Sequence, residues 1–423
     1  MVQSTTDPIV DRAELQRRTL NSLRLATVPG QAAVAGMVAV VTLLASDLLG
    51  SDRLAGLGSA AFTLGAAITM VPLAAFMRRH GRRPGIVGAL LIGCVGSAIA
   101  ATGGQLRWFP LFLAGMVAFG AGQAATLQGR YVAADLAQPD QQARAIAAIV
   151  WIGALGAAFG PTLTPFEQRA ADAVGLDELV GPFVFASAMF LAAAAIVFFR
   201  LRPDPLAVVG GIDRHAPRAR LLRQIRTSAA VIAGSAGATL GLVAMAASQA
   251  AMVGVMTMTP PHMRDHGHAD LSAFVIALHI LGMYGLAPLV GRFVDRVGGV
   301  RAIQVGATVL GVGTLGTVLA GYVPVLMFAG LFFLGLGWSL GLIGGSTLLT
   351  ASVPVAVRVE VQGTSDLTMS LCGALAALTS GFVKASFGFH LLANAAAFLA
   401  AGILAFAWLT AARLRGTAQA AAP

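Results

Sequence analysis

The sequence predicts an all-α membrane protein: twelve transmembrane helices arranged as two six-helix halves. Three observations carry this. First, 57% of the 423 residues are hydrophobic and only 11% are charged, with a mean hydropathy of +0.81, outside the range of soluble globular domains. Second, the apolar runs each approach the ~20 residues that cross a bilayer as helix, and their wealth of Ala and Gly favours close helix packing. Third, a basic segment near the middle of the chain separates six such runs from six more. A transmembrane β-barrel would show short alternating segments instead.

In chain order, residues 1–24 are polar and charged, lack the apolar core of a cleavable signal, and read as a cytoplasmic tail. The first half occupies 25–200, with spans at roughly 25–46, 55–77, 84–103, 108–134, 141–163 and 180–200. A basic, Pro-containing linker follows at 201–227, carrying Arg202, Arg214, Arg218, Arg220, Arg223 and Arg226. The second half occupies 228–412, with spans at roughly 228–258, 270–292, 300–320, 324–352, 361–384 and 388–412, and a short tail at 413–423 closes the chain. Arginine concentrates in the tails, in Arg78 to Arg83, in the linker and between Arg292 and Arg301, so these are expected on the cytoplasmic side of a bacterial inner membrane. The acidic 164–181 loop and the His-rich 259–270 loop are expected outside.

The net charge of +10 would suit nucleic acid, but the arginines sit in short loops where they act as topology signals. No nucleic-acid partner is expected. Cys94 and Cys372 fall within spans and read as small buried hydrophobes.

One stretch concentrates soft and borderline metal ligands. Met252 lies one helical turn from Met256, and His279 one turn from Met283, each pair on one helix face. Two readings stay open: methionine commonly fills gaps in apolar helices, whereas thioethers with a neutral imidazole suit Cu(I). A histidine within a span is by default a functional residue. Between the pairs, Met258, His262, Met263, His266 and His268 offer an outer capture region or simply polar solvation. Asp366, followed by Met369 and Cys372, is either a coupling or exit residue or a helix contact.

The loop after the second span of each half repeats. Gly291-Arg-Phe-Val-Asp295-Arg296-Val-Gly298 matches Gly-x-x-x-Asp-Arg-x-Gly, and Ala74 to Arg83 stands at the equivalent place with Ala74 for the Gly and Arg78 for the Asp. The chain thereby resembles the major facilitator superfamily, which implies alternating access between two rocking halves, with Gly291, Asp295, Arg296 and Gly298 in gating. Gly153-Ala-Leu-Gly156-Ala-Ala-Phe-Gly160-Pro161 resembles the fifth-span element of drug/proton antiporters but lacks its two closing glycines. Met116 stands where proton-coupled members carry an Arg four residues before Gly120. Within the superfamily, Met252-x-x-x-Met256 and His279-x-x-x-Met283 resemble the CcoA-like (CalT) copper importers. That resemblance implies import of copper for haem–copper oxidase assembly, with Met252, Met256, His279 and Met283 as ligands, copper as cargo, no permanently bound cofactor and a monomeric carrier. A riboflavin or other organic-nutrient importer and a drug/proton antiporter are the alternatives. No Gly-x-x-x-x-Gly-Lys-Ser/Thr phosphate loop occurs, so energy is expected from a gradient or the copper potential rather than ATP, and no enzyme activity is expected.

Overall fold

The computed structural model describes residues 12–50, 56–215, 221–265, 271–319 and 324–420. Among the described residues all regular structure is helical, and twelve segments are long and apolar enough to cross a membrane. The first half comprises α1 (Arg12–Leu49), α2 (Leu57–His80), α3 (Arg82–Gln105), α4 (Phe109–Ala134), α5 (Gln142–Ala173) and α6 (Gly181–Arg200). Two short helices follow, α7 (Pro205–Val208) and α8 (Leu221–Ala233). The second half comprises α9 (Ala236–Asp265), a span built from α10 (Ser272–Ile280) and α11 (Ala287–Val297), then α12 (Gly299–Leu319), α13 (Pro324–Ala351), α14 (Val355–Phe387) and α15 (Phe389–Ala420).

Several helices run past the ends of their apolar stretches. The predicted tail enters α1 from Arg12 onward, where Leu15 and Leu23 are buried and Gln16 donates to the Ala133 carbonyl at 2.7 Å. The predicted acidic loop is helical as far as Ala173, and the predicted His-rich loop is helical as far as Asp265. Hydropathy registers apolar length and misses the amphipathic turns that continue a helix beyond it.

Each half holds its own apolar core, one containing Met37, Phe112, Phe119 and Phe190, the other Leu240, Val255, Leu310 and Leu334. A third cluster joins them, with Ala143, Ile146 and Val150 of α5 against Met245, Met283, Val290 and Trp338. Close approach of helices depends on missing side chains. A Cβ on Gly96 would stand 2.3 Å from the Phe119 amide nitrogen, and one on Gly156 would stand 2.3 Å from the Val28 carbonyl oxygen. These contacts lock α3 to α4 and α1 to α5.

The start of the predicted linker is fixed by one carboxylate. Asp204 accepts from the Arg83 amide at 2.7 Å and from the Leu206 amide at 2.9 Å, capping both α3 and α7. Gly81 permits this: its φ is +107°, and a Cβ there would meet the Asp204 carboxylate at 2.4 Å.

Candidate functional site

A cavity of about 350 Å³ opens between the halves, at the small end of the range for small-molecule sites. Gln31, Gln123, Thr126 and Arg130 contribute from the first half, and Gln249, Met252, Met283, Tyr284, Trp338 and Met369 from the second. Trp338 donates its indole N–H to Gln249 at 2.7 Å and meets the Tyr284 ring edge-on, with centroids 5.7 Å apart. The result is a fixed aromatic corner flanked by amide groups. A larger groove of about 530 Å³ between α3 and α6, lined by Ala98, Leu106, Val184 and Leu191 among others, brings no charged group and lies away from this polar centre.

Beneath the cavity the halves are joined by buried charge. Arg130 of α4 is ion-paired with Asp366 of α14, and Tyr131 donates to the same carboxylate at 3.2 Å. Gln128 donates to the other Asp366 oxygen at 3.3 Å and accepts from Arg82 at 3.2 Å. Arg82, fully buried, forms two bonds to Asp135, at 2.8 and 3.2 Å, and reaches Gln362 of α14 at 2.7 Å. Buried charges need partners of this kind. The network seals the cavity from the arginine-rich end.

At that end two latches complete the closure. Asp295 accepts from the Ala143 and Arg144 amides at 2.9 and 3.1 Å, capping the start of α5, and from the Arg144 side chain at 2.8 Å. A negative group at a helix N-terminus is favoured by the unpaired amides and by the dipole. Gly291 allows the approach, since a Cβ there would stand 2.6 Å from that of Ala147. Gly298, at φ +83°, ends α11, and Arg296 is exposed. In the first half Arg78 pairs with Glu360 of α14 at 2.6 Å and with Asp213 at 3.3 Å.

The structure divides the predicted ligands. Met252 and Met283 line the cavity. Met256 is half-buried and packs between the second-half core and the joining cluster. His279 is buried, and its Nδ1 is 2.8 Å from the Leu331 carbonyl of α13; it does not line the cavity. The Leu331 carbonyl holds the His279 ring against α13, while the helix beyond winds as a π-turn at Leu281–Gly285, from which Met283 and Tyr284 both line the cavity. Such turns frequently sit at functional sites.

The outer residues are likewise divided. Met263 belongs to the second-half core and Met258 packs against it, while His262 is buried with its ring stacked 4.2 Å from Phe389. These three are the last turns of α9, packed against the bundle. His266 and His268 lie outside the described residues. Asp366 is a buried inter-half contact in the interior of α14, and half-buried Cys372 is a free thiol. Among the described residues no three of His, Cys, Asp and Glu cluster to hold a metal ion.

The residues that sequence reasoning missed are Arg130, Tyr131, Gln128 and Arg82. An arginine inside an apolar run is itself a signal; Arg130 carried it, and its partner across the halves was not visible along the chain.

The model of the Major Facilitator Superfamily matches residues 26–377. The chain belongs to this superfamily. It is 34% identical over 403 residues to YddS of Bacillus subtilis, an uncharacterised MFS-type transporter, covering 94% of this chain and 92% of that one. It is 28% identical over 383 residues to the riboflavin transporter RfnT of Brucella anthropi, covering 89% and 92%. Among solved structures it superposes on the human organic anion transporter MFSD10 with a TM-score of 0.76 at 18% identity, covering 93% and 99%. On FucP in the outward conformation the TM-score is 0.73 at 16% identity, covering 92% and 98%. These two similarities speak for the fold. As a major facilitator the chain is a multi-pass membrane transporter.

Proposed function

We propose that this major facilitator takes up a small organic solute with an aromatic ring system and several hydrogen-bonding groups, a flavin such as riboflavin being the model, by alternating access across a bacterial inner membrane with both termini cytoplasmic. The observation that carries the reading is the cavity: Trp338 and Tyr284 offer ring faces and edges, and Gln31, Gln123 and Gln249 offer amides. Aromatic pairing with convergent polar groups suits a planar heterocycle. Similarity to a riboflavin transporter supports the same class. Arg130, at the cavity floor, would sense the bound solute and carry its presence to Asp366. The carrier works as a monomer and needs no resident cofactor.

Copper is the second reading, kept by one observation: Met252 and Met283 line the cavity together with Met369, giving three thioethers where a soft ion would pass. Uptake of radiolabelled riboflavin and of radiolabelled copper, in cells lacking their own importers, separates the two. The organic reading expects flavin accumulation that falls at least about tenfold in Trp338→Ala, the equivalent of ~1.4 kcal/mol, and survives in Met252→Leu and Met283→Leu. Those swaps keep volume and typically cost under ~1.5 kcal/mol of stability. Copper accumulation that both Leu variants abolish, without flavin uptake, transfers the assignment to the metal.

A further inference from the structure

Among the described residues, Asp366 and Glu167 are both buried carboxylic acids within spans, and their surroundings differ. Asp366 has an arginine and two hydrogen-bond donors. Glu167 of α5 is 3% exposed, and neither of its carboxyl oxygens has a hydrogen-bond partner. The Thr164 hydroxyl, one turn away on the same face, is also buried and unpartnered. Among the described residues, the charged groups on neighbouring outer ends are engaged or exposed. Asp47 of α1 pairs with Arg107; Asp177 caps the turn before α6; Glu178, Arg169 and Asp172 are exposed. The outer part of α6 brings no ionisable side chain.

We propose that Glu167 is a proton-binding site that couples transport to the proton gradient. Among the described residues nothing donates to or pairs with an ionised Glu167, whereas a bound proton removes the charge without requiring further ligands. A larger cation would need several oxygen ligands, and among the described residues no second carboxylate joins Glu167 in a cluster of three His, Cys, Asp or Glu.

Helix α5 links this position to the rest of the transport machinery. Its N-terminal amides at Ala143 and Arg144 are held by Asp295. Its middle, at Ile149, Val150 and Ala157, lines the cavity. Its far end carries Glu167, roughly 36 Å from Ala143 at 1.5 Å per residue. Pro161 and Pro165 lie inside the helix just before Glu167 and remove two backbone donors there, so the end can tilt while the lower part stays helical. Proton release at Glu167 favours hydration of the outer end of α5, and proton binding favours its burial. One helix thereby senses the proton, the solute and the latch. This does not depend on which solute is carried.

The test uses the full-length protein without any solute. Infrared difference spectra between about pH 5 and about pH 9 register the carbonyl stretch of a protonated carboxyl that loses its proton. We expect such a band in the parent, its loss in Glu167→Gln and its retention in Asp366→Asn. Deuterium exchange of the Ala143 and Arg144 amides, corrected for intrinsic rates, should change several-fold with pH in the parent and stay flat in Glu167→Gln. Should that variant fail to fold, Glu167→Asp must displace the band. A band unchanged by the Glu167 substitutions, or no pH-dependent carboxyl band in the parent, overturns the proposal. Failure of flavin uptake with the band intact would overturn only the solute reading.

Discussion

The two latches at the arginine-rich end occupy equivalent places in the repeat, yet they are built with opposite charge. In the second half Asp295 of α11 meets Arg144 of α5; in the first, Arg78 of α2 meets Glu360 of α14. The glycine has changed sides as well. Gly291 of α11 packs on Ala147, whereas in the first half Ala74 of α2 packs on Gly363 of α14, where a Cβ would stand 2.5 Å from that of Ala74. Read along the chain, Ala74 and Arg78 look like losses from a motif. Across the interface they are one side of a swapped pair. What the repeat retains is the contact between helices, with one small residue and one ion pair, and either helix can supply either part. The difference lies in capping: Asp295 also satisfies two helix-end amides, which Arg78 cannot do.

This comparison is sharpened first by inverting charge. Arg78→Asp sets like charges against Glu360, whose side chain is only 16% exposed, and against Asp213; such juxtapositions cost several kcal/mol. Transport at equal expression should fall by more than about tenfold, over ~1.4 kcal/mol, and Arg78→Asp with Glu360→Arg should recover most of it. A double variant as inactive as the single one would break the swapped-pair reading. The next effect is Asp295→Asn, which keeps shape and loses charge. A charge at a helix N-terminus is typically worth about 0.3–1 kcal/mol, so the closed-to-open ratio should fall by up to about fivefold, read as increased labelling of a cysteine introduced at Ala147. The smallest is Asp213→Asn, whose partner distance of 3.3 Å and 45% exposed side chain place it among surface pairs worth about 0–1 kcal/mol; uptake should stay within about twofold of the parent. A larger loss would assign the latch to the linker rather than to α14.

The twelve spans, the two halves and the repeat were legible because apolar length and arginine placement are properties of the chain itself. Helix ends were less so, since Gln16, Glu167 and His262 continue their helices on polar or amphipathic turns. Of the predicted ligands, Met252 and Met283 reach the cavity, while His279 is taken up by a carbonyl of α13, a partner that spacing along its own helix does not show. The Arg130–Asp366 bridge and the Glu360 and Gly363 side of the first latch join residues more than two hundred positions apart. No local pattern announces them.

The carboxylate of Asp204 has a consequence for how the polypeptide is assembled. The segment leaving α6 is pinned to α3 through Asp204 and to α2 through the Asp213 amide, which donates to the Arg78 carbonyl. Helix α8 is fastened to α2 by Gln224, which reaches the Val71 carbonyl at 3.3 Å. Both ends of the connection are thus anchored on the first half before the second half begins. The first half thereby presents a seat for the start of the second, so α8 is laid against α2 as it emerges.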